Sequence, residues 1–278
     1  MQGLFTLTSS ESKRLIAKGV AAMPEAQEAM TEGYLIVGRG STNGYIAEEL
    51  LGKAIEKEKY VAGQVIRGVL CGLLQGVRLQ PVTFHKGEVL EVEPSSLLDK
   101  LGRGDILLKG ANAIDHTGKV GVLMGSPLGG TMGEFYLSLK ARGGMIIYPV
   151  GLEKMIPSVE EASRMGGIMA FERTIGARVG MVCVADGIPF TELDAIDELF
   201  GIEAVHFASG GYGGAEGCVT IAIEGDDPDV NECIDYIEEK IKGEPPLPAV
   251  KAPCKTCPLL CSFQGKEEGD LPPYLRGE

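Results

Sequence analysis

Residues 33–52 constrain the fold more than any other stretch of this chain. The run Tyr34-Leu-Ile-Val37 is short and continuously apolar, the pattern of a parallel strand buried on both faces. Gly38, Gly40 and Gly44 free the backbone for a tight turn, and a helix follows with Ile46, Ala47, Leu50 and Leu51 on one face. Ser41, Thr42 or Asn43 is expected to cap that helix. A strand that turns sharply into a helix presents free N–H groups and the positive end of the helix dipole, a setting for a phosphate or carboxylate. The same residues also suit a plain packing turn, and this segment alone leaves both open.

The chain has 278 residues, room for one large domain or two modest ones. No apolar run reaches the ~18–20 residues that span a bilayer. The start, Met1-Gln-Gly-Leu-Phe-Thr-Leu-Thr8, has neither the basic opening nor the long apolar core of a signal peptide, so a cytoplasmic protein with no membrane partner is expected. A net charge of −13 argues against nucleic acid as a partner but leaves room for a locally positive pocket. Trp is absent and aromatics are 6%, which offers no platform for stacked bases, and no nucleotide cofactor is evident. Seven cysteines without a secretion signal suggest reduced thiols or a metal site rather than a disulfide scaffold.

Thr8-Ser-Ser-Glu11 matches a capping box and opens a helix that Pro24 breaks or restarts. From there to residue 150, strand and helix alternate at the pace of a doubly wound, parallel-rich α/β sheet, with strands at 34–38, 105–109 and 145–150. The pattern then changes. A strand at 179–184, a helix at 189–200, strands at 203–208 and 218–223 and a helix at 228–241 read as a ferredoxin-like α+β subdomain. The expected organisation is an α/β ligand-binding domain over 1–176, this subdomain over 177–243, and an irregular, cysteine-containing tail over 244–278.

Three blocks follow one another in a recognisable order: Ile36-Val-Gly-Arg-Gly-Ser-Thr42, Asp105-Ile-Leu-Leu-Lys-Gly-Ala-Asn-Ala-Ile-Asp115 and Gly125-Ser-Pro-Leu-Gly-Gly-Thr-Met-Gly-Glu134. Through them residues 9–158 resemble the superfamily shared by ribose-5-phosphate isomerase, glucosamine-6-phosphate deaminase and the CoA transferases. The second and third blocks are also similar to methylthioribose-1-phosphate isomerase and the regulatory subunits of initiation factor 2B. The resemblance implies a ligand site made by Gly38, Gly40, Ser41, Thr42, Asn112, Gly129, Gly130 and Thr131, with Glu134, Asp115 and Lys109 as the candidate catalytic residues. It also implies self-association into a homo-oligomer.

The departures matter. Where the pentose isomerase carries proton-handling carboxylates, this chain has Lys109 and Asn112, and an asparagine does not ionise. Ribose-5-phosphate isomerase activity is therefore expected to be absent. Glu134 is left as the candidate base, although a carboxylate in a first helical turn is also favoured by the dipole alone. Asp115 reads as a carboxylate or a turn cap, and Lys109 as an anion binder, a nucleophilic amine or a solvated strand end.

Cys254, Cys257 and Cys261 place three thiols within eight residues, close enough to wrap one metal centre, either an iron–sulfur cluster or zinc. The fourth ligand is expected from Cys233, Cys218, another subunit or water. Cys71 and Cys183 read as small core residues. Together these features suggest binding of a small phosphorylated or carboxylated metabolite, a phosphosugar above all, by an isomerase- or transferase-like enzyme with altered catalytic residues. The alternatives are a non-catalytic ligand-binding or regulatory protein, and an iron–sulfur redox accessory built on the cysteines.

Overall fold

In the computed structural model, which describes residues 1–276, four strands run parallel in the order Ile188–Phe190, Met145–Pro149, Ile106–Leu108, Tyr34–Val37. Val82–His85 and Glu88–Leu90 extend the sheet antiparallel beyond Tyr34–Val37. The three continuous apolar runs read from the sequence thus lie side by side. Their continuity has a plain cause: Leu35, Val37, Ile106, Leu108 and Ile147 enter one core, while Ile36, Leu107, Ile146 and Tyr148 enter the other. Each such aliphatic side chain, fully buried, contributes ~1.5–3 kcal/mol. The first core is shared with helices Ser9–Ala22, Ser41–Leu51 and Glu192–Phe200. The second is covered by helix Gly130–Ala141 and by a three-stranded antiparallel sheet of Ala113–Ile114, Val120–Met124 and Gly180–Val184. The result is a mixed α/β fold whose main sheet is part parallel, part antiparallel.

Local signals explain most of the element ends. Thr8 Oγ1 accepts the Glu11 N–H at 3.3 Å and Glu11 returns the bond to the Thr8 N–H at 2.8 Å, the capping box read from the sequence. Pro24 opens a second helix, Pro24–Thr31. The hairpins Gly63–Ile66/Val69–Gly72 and Val82–His85/Glu88–Leu90 turn on Arg67-Gly68 and Lys86-Gly87, with φ of 50° and 73°, 54° and 75°. Both residues of such a two-residue loop must be left-handed, which is why each ends in glycine.

Three expectations need correction. Helix Ser41–Leu51 begins at Gly40 with no side-chain cap. Asn43 turns inward instead, its Nδ2 donating to the Gly38 carbonyl at 2.8 Å and the Leu108 carbonyl at 2.9 Å. Second, strand 179–184 does not join the strands expected to form a ferredoxin-like unit with it. Gly180–Val184 pairs with Val120–Met124, and the small sheet runs Gln2–Leu7, Val219–Glu224, Glu203–Ser209. Gln2–Leu7 alternates outward and inward side chains, as a sheet covered on one face requires. Third, Ile188–Phe190 joins the main sheet, so the helix expected from 189 starts at Glu192, capped by Thr191. Strand pairing therefore crosses the expected 176/177 boundary.

The C-terminal segment is irregular but packed. Phe263, Leu271 and Leu275 form a third core with Val69, and the Arg178 N–H donates to the Leu260 carbonyl at 2.9 Å. Among the described residues, no helix is long and apolar enough to cross a membrane.

Candidate functional site

The chain leaves Tyr34–Val37 through helix Ser41–Leu51 and adds Val82–His85 on one side; it later adds Ile106–Leu108 on the other. The crevice between the carboxyl ends of Tyr34–Val37 and Ile106–Leu108 is therefore a switch point of the sheet, where open α/β sheets bind ligands. The two ends approach closely. The Gly38 N–H donates to the Leu108 carbonyl at 2.9 Å, and a Cβ on Gly38 would stand 2.9 Å from that oxygen and 3.9 Å from Lys109 Cδ. The turn is held from behind by buried Tyr60, whose carbonyl accepts the Gly40 N–H at 2.9 Å and whose hydroxyl donates to the Val37 carbonyl at 2.6 Å.

Lys109 lies across this crevice. Its ammonium donates to the Gly110 carbonyl at 2.8 Å and has no carboxylate partner among the described residues. Burial, with a smaller push from Lys154, lowers its pKa to about 8. Asn43 Oδ1 is buried without a hydrogen-bond partner and lies 3.8 Å from where a Gly110 Cβ would stand. Thr42 is buried beside it, and Gly40 and Ser41 are half-buried.

The next two strand ends add charge. After Met145–Pro149 come Glu153 and Lys154; after Ile188–Phe190 comes Glu192. Lys13, from the first helix, reaches Glu153 Oε1 at 3.8 Å, with Lys154 at 3.6 Å from the same oxygen. Lys13 also donates to the Ser9 carbonyl at 2.9 Å and to the Ser9 hydroxyl. Burial pushes Lys13 down to about 8 against the pull of Glu153. Burial, aided by the charge of Glu153, raises Glu192 to about 7, although the Leu152 N–H donates to it at 2.9 Å. Glu153 Oε2 is buried without a partner. Lys13, Asn43, Glu153, Lys154 and Glu192 were not singled out from the sequence for this site. Their one sequence signal is position: Asn43, Glu153 and Lys154 follow within six residues of an apolar parallel-strand run.

The remaining sequence candidates lie elsewhere. Asp115 is buried with its oxygens occupied: it accepts the Thr117 N–H at 2.9 Å, the Thr117 hydroxyl at 2.5 Å and the Val159 N–H at 2.9 Å. Burial opposes its charge, but these bonds prevail and hold it at about 2. Asn112 is exposed, and its Oδ1 accepts the Leu123 N–H at 3.0 Å, tying one strand turn. Gly129, Gly130 and Thr131 open helix Gly130–Ala141, also without a side-chain cap. That helix follows Val120–Met124, which belongs to a different sheet, and no hydrogen bond or ion pair among the described residues joins its start to Ser41 or Thr42. Glu134 is exposed and lies just past the first turn of that helix, not within it as expected.

Cys254, Cys257 and Cys261 line a small cavity of about 20 Å³ together with Cys71. Cys233, expected as a fourth ligand, is instead buried in the first core. Burial and the neighbouring Cys254, Cys261 and Cys257 push the Cys71 thiol up to about 11.

No family model and no curated protein matches the chain. Among solved structures, ribose 5-phosphate isomerase A from Neisseria gonorrhoeae aligns at 15% identity over 85% of this chain and 86% of that chain, with a TM-score of 0.30. The likeness is weak and concerns the fold alone.

Proposed function

We propose that the carboxyl edge of the parallel strands binds a small phosphorylated or carboxylated metabolite, with a phosphosugar as the favoured class. The observation that carries this is Lys109: a part-buried ammonium whose partner is a single carbonyl, beside an uncapped helix start. A cation buried without an anion is costly, and an arriving phosphate or carboxylate would supply the missing charge. The amides at the start of helix Ser41–Leu51 would donate to the same group. Lys154 adds a second positive charge nearby in a chain of net charge −13. Asn43 Oδ1 offers an acceptor to a ligand hydroxyl, which favours a sugar over a bare anion. On this reading the main sheet is a doubly wound variant of the isomerase, deaminase and CoA-transferase type.

The regulatory or binding role is favoured over isomerase chemistry. Of the three candidate catalytic residues, Asp115 has its oxygens occupied and Glu134 is exposed on another element, so neither stands as a base beside Lys109. Thermal-shift measurements with inorganic phosphate, sugar phosphates, small carboxylates, nucleotides and acyl-CoAs test the proposal. Stabilisation by a sugar phosphate that the double variant Ser41→Ala/Thr42→Ala weakens supports it. No stabilisation by any of these anions refutes it.

A further inference from the structure

We infer that Cys71, Cys254, Cys257 and Cys261 hold one thiolate-bound metal centre, with Cys71 as its fourth ligand. The inference is independent of the anion site and rests on how three separate segments are brought together. Cys71 lies on the hairpin strand Val69–Gly72. Gly176 bridges Leu70 of that strand, and the Ala177 N–H donates to the Leu70 carbonyl at 2.8 Å. Ala177 in turn bridges Cys261. The C-terminal segment is thereby laid against the hairpin, and all four cysteines line the same small cavity, whose other walls include Leu70, Leu259 and Phe263.

Four soft ligands lining one cavity are the donor set of a structural zinc or an iron–sulfur centre, and the lining offers harder cations no side-chain oxygen. Among the described residues no three His, Cys, Asp or Glu side chains already stand at metal-holding geometry, so binding must draw the thiols inward. The local structure allows it. Cys254 and Cys257 lie in and just after a single 3-10 turn, Cys254–Thr256, in a proline-rich stretch with few backbone bonds of its own, while Cys71 is fixed in a ladder. Each bound thiol gives up its proton as the metal–sulfur bond forms, with no change of oxidation state at sulfur. Around the cysteines the C-terminal segment rests on a small core of Val69, Phe263, Leu271 and Leu275, so a metal would add to its anchoring there.

The test uses the full chain purified without oxygen and analysed for metal, acid-labile sulfide and absorption. Near one zinc per chain identifies the ion. Iron with matching sulfide and a broad band near 400 nm identifies the cluster. Either supports a centre. The assignment of Cys71 is then tested by Cys71→Ser, which should lose the metal as fully as Cys254→Ser, while Cys233→Ser, a buried cysteine outside the cavity, retains it. Limited proteolysis should cut the 244–276 segment faster in Cys71→Ser without unfolding the rest. Full metal retention in Cys71→Ser would remove Cys71 from the site. Metal-free protein that remains so after anaerobic reconstitution with zinc or with iron and sulfide would overturn the centre altogether.

Discussion

Lys13 Nζ stands 3.8 Å from Glu153 Oε1, with side-chain exposures of only 10% and 11%. The pair links the first helix to the segment that follows strand Met145–Pro149. Removing one member leaves the other charge buried, which commonly costs ~3–5 kcal/mol. Lys13→Met should approach the lower figure, because Lys154 remains 3.6 Å from Glu153. Glu153→Gln should cost less, since Lys13, already lowered to about 8, sheds its proton easily. In denaturant melts the double variant should be more stable than the two single losses predict, by ~0.5–3 kcal/mol. Strict additivity would mean that the pair does not act as one.

The same edge sets a pH dependence whose sign follows from its shifts. Glu192 keeps its proton to about pH 7 in the folded chain but would release it at the ordinary 4.5 when unfolded. The folded state binds more protons across that window, so this group lowers stability as pH rises through it. Lys109 and Lys13 lose their protons near 8 when folded and near 10.5 when unfolded, so they raise stability as pH climbs across that second window. The cluster therefore weighs most heavily on the fold between about pH 7 and 8. Glu192→Gln should flatten the first limb, with an upper bound of ~3 kcal/mol. An unchanged stability profile between pH 4.5 and 7 in that variant would refute the assignment.

Asp115 should matter to the fold and not to the ligand. It fixes the turn through Thr117 and pins Val159. Asp115→Ala leaves the buried Val159 N–H without its acceptor, at ~1–3 kcal/mol, and frees the exposed Thr117 N–H to water at smaller cost. Ligand affinity, measured where the variant is fully folded, should stay within about twofold of the parent. A selective loss of affinity would return Asp115 to the site.

Exposed Glu134 supplies a contrasting case. Glu134→Gln should change stability by no more than ~0.5 kcal/mol and leave anion binding intact. A clear fall in affinity would show that the second Gly-rich turn takes part.

How much was legible follows from what each signal encodes. Continuous apolar runs at 34–37, 106–108 and 145–149 report burial on two faces, and they do form neighbouring strands. Capping chemistry at Thr8 and Thr191 is local and readable. Pairing between distant segments is not. Nothing in Gly180–Val184 says that it will join Val120–Met124, or that Gln2–Leu7 will take its expected place. The glycine turn led to the carboxyl edge of the sheet, where Gly38, Gly40 and Lys109 do lie together. Lys13, Glu153 and Glu192 escaped notice because an isolated charged residue looks solvated until the fold buries it. Cys71 reads as a core residue and does pack against the third core, but the cavity it shares with Cys254, Cys257 and Cys261 joins segments far apart in the chain and has no local signal.

The most direct measurement is calorimetric titration and thermal melting of Lys109→Met beside the parent, using the best-binding sugar phosphate. Removing a part-buried cation that has no carboxylate partner should leave the ligand-free melting temperature equal or higher. Losing one charge-assisted bond, worth ~1.5–3 kcal/mol, should weaken affinity by roughly 10- to 100-fold. A variant that melts several degrees lower yet binds the anion as tightly as the parent would contradict the account, because Lys109 would then serve the fold and not the ligand.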